Sequence, residues 1–131
     1  MRVRVLSVLS VAAAGLFFSV GSSAHHGASA LYDLSRTVRL TGTVTEFRFT
    51  NPHVFIYFEV TGEDGTTVAW SAGLTSRNRL ARTDGWNRNT LGPGERISIV
   101  GSPARDGAPS LWVEQVFVDG SPLLKVPVGA G

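Results

Sequence analysis

The sequence predicts an all-β domain, a small five-stranded OB-like antiparallel barrel with a short helix between its third and fourth strands. Three observations carry this. Apolar residues alternate with polar ones in several short runs separated by glycine-rich turns. One stretch between the third and fourth runs loses that alternation and reads as a short helix. The first run is long and changes phase part-way, as a bulged strand does. A small antiparallel sandwich or an SH3-like barrel is the alternative.

The first strand begins at Thr37. Val38, Leu40, Gly42 and Val44 alternate with Arg39, Thr41, Thr43 and Thr45, and the apolar phase then slips to Phe47 and Phe49. That slip predicts a bulge at Thr45-Glu46. In the second strand Val54, Ile56, Phe58 and Val60 face one way, and His53, Phe55, Tyr57 and Glu59 the other. Gly62-Glu63-Asp64-Gly65 is a hairpin connection. The third strand, residues 66–72, carries Val68, Trp70 and Ala72 on one side. Residues 75–82 follow as a helix capped by Thr75 and stopped near Gly85. Gly92-Pro93-Gly94 turns the chain into the fourth strand, residues 96–101, with Ile97 and Ile99 inward. A loop containing Asp106-Gly107 leads to the fifth strand, residues 111–118. The expected core is Val38, Leu40, Val44, Val54, Ile56, Phe58, Val60, Val68, Trp70, Ile97, Ile99, Val113 and Val116.

Ahead of the barrel, residues 1–24 read as a secretory signal peptide. Arg2 and Arg4 supply a charged start, residues 5–20 are apolar and uncharged, and Ser22-Ser23-Ala24 offers small residues at a cleavage site. Ala28-Ser29-Ala30 is a second, more distant site. The apolar run falls short of the roughly 20 residues a spanning helix needs, so no membrane span is expected after cleavage. The expected organisation is a signal peptide (1–24), an N-terminal arm (25–36), a barrel (37–120) and a flexible tail (121–131), in a periplasmic or secreted protein. The exported 107 residues suffice for one core.

The chain holds 12 Lys+Arg against 10 Asp+Glu, and cleavage removes Arg2 and Arg4. The exported domain is therefore balanced and lacks the basic footprint expected of a nucleic-acid binder. There is no cysteine, and the one methionine is Met1. Any metal held by the mature chain must accept nitrogen and oxygen ligands.

The histidines are His25, His26 and His53. Cleavage after Ala24 would start the chain at His25, whose α-amine and imidazole together make a chelating pair. His26 or His53 would complete the set. Copper tops the divalent affinity order, so Cu(II) is the expected metal, otherwise Zn(II) or none. The bland alternative makes His25 and His26 a solvated tail and His53 a corner residue bonded to a loop carbonyl. Asn51-Pro52 itself reads as a rigid turn.

The aromatic residues offer a different role. Phe55 and Tyr57 share the face opposite the core and form a candidate binding face for a protein, peptide or glycan. The tryptophans read as core, and Arg77, Arg79, Arg82, Arg88 and Arg105 as a solvated, salt-bridged surface. No nucleophile–base motif, carboxylate pair or phosphate loop is present, so an enzyme is not expected, oxidative chemistry at a copper held by the N-terminal histidine being the one route left open.

Taken together, His25-His26-Gly27, Gly42-Thr43-Val44, Asn51-Pro52-His53, Trp70, Gly85-Trp86, Pro93-Gly94 and Pro103-Ala104-Arg105-Asp106-Gly107 resemble a family of small exported Gram-negative bacterial proteins known only as a domain of unknown function. The resemblance implies a periplasmic, barrel-like domain and brings no activity with it.

Overall fold

A computed structural model describes residues 24–124, with side-chain surroundings from Gly27 onward. The expected signal segment, apart from Ala24, and residues 125–131 of the expected tail lie outside the described residues.

The chain runs α1 (Ala24–Leu31), β1 (Val38–Arg48), β2 (Phe55–Thr61), β3 (Thr67–Gly73), α2 (Arg77–Asp84), β4 (Arg96–Pro103), β5 (Ser110–Val118) and β6 (Ser121–Pro122). β1 pairs antiparallel with both β2 and β4, β2 with β3, and β4 with β5. The barrel closes where Ser71, Ala72 and Gly73 of β3 meet Ser110, Leu111 and Trp112 of β5. This is the OB order of strands, with α2 between β3 and β4. The expected OB-like barrel is present, antiparallel in every pair of its ring but the closing one, which is parallel and makes the barrel mixed. The reason is geometric: directions cannot alternate all the way round a ring of five strands.

The predicted bulge is present, the β1–β2 register shifting between Val44 and Glu46. It lets the long β1 bend and serve both sides of the barrel. The core holds Val44, Val54, Ile56, Phe58, Ala72, Leu74, Ile97, Ile99, Leu111, Val113 and Val116. Leu80 of α2, Trp86 and Leu91 close one end. Val38, Leu40, Val60 and Trp70, expected in the core, are only partly buried. Val68 is 41% exposed. β3 meets β5 only from Ser71 onward, so its first half projects beyond the closure with its partner β2, which leaves Val68 exposed among the described residues.

The helix is present, but Ser76 rather than Thr75 caps it, accepting from the Arg79 amide at 3.3 Å. Gly85 ends it in the left-handed region at φ 73°, its amide returning to the Leu80 carbonyl. Two further elements lie toward the ends of the described residues. The arm begins as α1, and Tyr32 then bridges to Ala104. The tail's first residues are docked: β6 pairs with β5, Leu124 is 3% exposed, and Trp86 Nε1 donates to the Leu123 carbonyl at 3.2 Å.

Candidate functional site

The outer wall of β2, β3 and β5 carries aromatic rings on either side of Gly73. Alternation places Phe55 and Tyr57 outward between buried Val54, Ile56 and Phe58. Their rings stack with centroids 6.1 Å apart and an interplanar angle of 24°. Phe55 pairs with Gly73, and Gly73 pairs with Trp112. A Cβ at Gly73 would stand 3.3 Å from Phe55 Cε1 and 3.4 Å from Trp112 Cε3. The missing side chain therefore lets Phe55 and Trp112 flank the same backbone position. Trp112 lies outward between buried Leu111 and Val113, so of the tryptophans expected in the core only Trp86 is fully buried.

Trp112 is a junction. Its ring meets His53 edge-on at 5.6 Å and Tyr32 at 5.9 Å. Tyr32 comes from the arm, which is fastened to the β4–β5 loop. The Arg105 amide donates to the Leu31 carbonyl at 2.9 Å, Arg105 Nε to the Ser29 carbonyl at 3.0 Å, and the Asp33 amide to the Pro103 carbonyl at 2.9 Å. The Tyr32 hydroxyl lies 3.1 Å from Ser110 Oγ, which also takes a bond from Ser71 Oγ at 3.1 Å. At the other end, Arg48 lies over the Tyr57 ring at 5.0 Å and donates to its hydroxyl at 3.2 Å, while pairing with Glu46 at 3.0 Å.

His53 is half-buried at the β1–β2 corner, beyond the cis Asn51–Pro52 peptide. Its Nδ1 lies 3.1 Å from the Leu74 carbonyl oxygen. A carbonyl only accepts, so Nδ1 is the donor, and in the neutral ring Nε2 holds the lone pair. The bond to a carbonyl is the one the non-metal reading of His53 expects, and metal-ligating histidines are oriented in the same way, one ring nitrogen donating to a fixed acceptor and the other left to bind.

His25 and His26 fall in the first turn of α1, and their side chains lie outside the described residues. Among the described residues no group of three or more His, Cys, Asp or Glu side chains gathers to hold a metal. The structure thus brings Phe55 and Tyr57 together and sets His53 beside them through Trp112. Sequence reasoning missed Tyr32, Gly73 and Trp112. The alternation of residues 111–113 marks Trp112 as outward, but its partners come from strands remote in sequence. No described helix is long and apolar enough to cross a membrane.

The profile of a family described as "Family of unknown function (DUF6152)" matches residues 14–111. Among curated proteins nothing matches. Among solved structures the chain is similar to the mitochondrial single-stranded DNA-binding protein Rim1 of S. cerevisiae. The identity is 8% and the TM-score 0.49, over 66% of this chain and 94% of that one. It is also similar to the N-terminal domain of PriB from Thermoanaerobacter tencongensis. There the identity is 25% and the TM-score 0.42, over 64% of this chain and 96% of that one.

Proposed function

This chain belongs to the DUF6152 family of unknown function, and from its own residues we propose an exported OB-type binding module that holds a divalent metal at the His53 corner. Export would proceed through residues 1–24, with cleavage after Ala24 and a periplasmic or secreted product. Cu(II) is the favoured metal and Zn(II) the next. The α-amine and imidazole of His25 bind first, with His26 or His53 completing the nitrogen set.

The observation that carries this reading is the Nδ1 contact of His53 with the Leu74 carbonyl at 3.1 Å, which leaves Nε2 to bind. The docked arm supports it. Tyr32 sits on Trp112, the ring neighbour of His53. The stretch from His26 to Tyr32 spans about 9 Å as helix and at most about 20 Å extended. Unwinding the first turns of α1 would therefore suffice to bring a new N-terminus to His53.

Copper(II) EPR of the cleaved protein tests the reading and should show nitrogen coordination. His53→Ala should weaken uptake, and one extra residue ahead of His25 should weaken it more, because it displaces the α-amine. If the cleaved protein and its His25→Ala variant take up copper equally poorly, the metal reading fails.

A second reading rests on a separate observation, the run from Tyr57 through Phe55 and Gly73 to Trp112. It favours a non-metal interaction module that binds a protein, peptide or glycan on flat aromatic surfaces. Oligosaccharide or peptide probes should then perturb Phe55, Tyr57 and Trp112 in metal-free protein, and Phe55→Ala should abolish the effect.

A further inference from the structure

We propose a second binding site, for a small oxyanion-bearing ligand, on the outer wall of β1, β4 and β5. A cleft of about 440 Å³ opens there, lined by Arg39, Thr41, Arg96, Ser98, Phe117 and Asp119. It shares none of these residues with the His53 face. Thr41 pairs with Ser98, and Ser98 with Phe117, so the three form one row across three strands. Arg39 and Arg96 stand on opposite sides of that row, opposite Val100 and Thr43 respectively.

Three features suit this row to an anion. The Arg39 guanidinium carbon lies 4.8 Å from the centroid of the Phe117 ring. A guanidinium over a ring keeps its in-plane N–H groups to meet an oxyanion. Thr41 Oγ1 and Ser98 Oγ lie 2.7 Å apart. One hydroxyl proton is used between them, so the accepting hydroxyl keeps its own proton for a ligand. The lining sets two guanidiniums against one carboxylate, that of Asp119. An otherwise balanced domain therefore concentrates positive charge here, over donors already held in place. A phosphate or a small di- or tricarboxylate supplies the complementary oxygens at this size.

NMR titration of the mature protein with inorganic phosphate and, separately, citrate at low ionic strength tests the proposal. Either probe should give saturating shifts at Arg39, Thr41, Ser98 and Phe117, and comparison of the two separates phosphoryl from carboxylate preference. Arg39→Gln and Arg96→Gln should each weaken binding by about tenfold, the effect of one lost charge-assisted contact. Arg77→Gln on α2 and His53→Ala should titrate like the parent, the latter separating this site from the metal corner. The proposal is overturned if chloride at equal ionic strength reproduces the shifts, or if both cleft arginine variants bind as the parent does.

Discussion

Gly101 sits where the β4–β5 register shifts, and a Cβ there would collide with the Trp112 carbonyl oxygen. The obstacle is backbone and cannot rotate away. Gly101→Ala should therefore cost about 1–3 kcal/mol, read as a lower urea midpoint. Gly42, facing the Glu59 carbonyl, predicts a similar loss. Two exposed carboxyls set a smaller, acid-sensitive effect. The Ser35 hydroxyl and amide hold Asp33 below the ordinary value of 3.8, and the Thr66 amide and hydroxyl do the same for Asp64. A depressed carboxyl stabilises the fold above its unfolded value and loses that contribution as pH falls through its folded value. NMR titration should find both midpoints under 3.8, and Asp33→Asn and Asp64→Asn should remove this part of the acid sensitivity. At this scale sequence reading served inward residues well, because Val54, Ile56, Phe58, Ile97 and Ile99 follow a period of two. It served Trp112 poorly, since composition marks a tryptophan as core while only its neighbours decide which way it points.

The elements held in place from outside the barrel were the least legible. Periodicity reveals the strands and the phase slip in β1, yet it is silent on α1, which is tied to the remote Arg105, and on β6, which at two residues beside β5 is too short to show a period. The α2 cap shows how close a local signal comes. Thr75 and Ser76 are both suitable caps, and only Ser76 stands three residues before an amide it reaches, that of Arg79. Ser76→Ala should cost about 1 kcal/mol, whereas Thr75→Ala should leave α2 unchanged, as thermal melts of the two variants would show. The arm gives an element-scale test of the metal reading. Copper added to the cleaved protein should slow amide exchange across residues 32–36, beyond the unwound turns of α1, and His53→Ala should reduce that protection.

Barrel closure belongs to the whole molecule. The strand count and the helix position were readable, because each leaves a local pattern. The parallel direction of the last pair follows only once the five strands are joined in a ring. That pair ties residues 71–73 to 110–112, two segments about forty positions apart in the chain. The ring cannot shut until the chain between them, with α2 and the whole of β4, has taken its path. Non-local closure of this kind slows folding, so refolding on the millisecond-to-second scale is expected. Ser71 and Leu111 then act late, after the crest of the barrier. In stopped-flow measurements, Leu111→Ala should speed unfolding while leaving the refolding limb nearly where it was. The same seam that completes the aromatic wall thereby sets how long the molecule stays shut, a lifetime rather than an affinity.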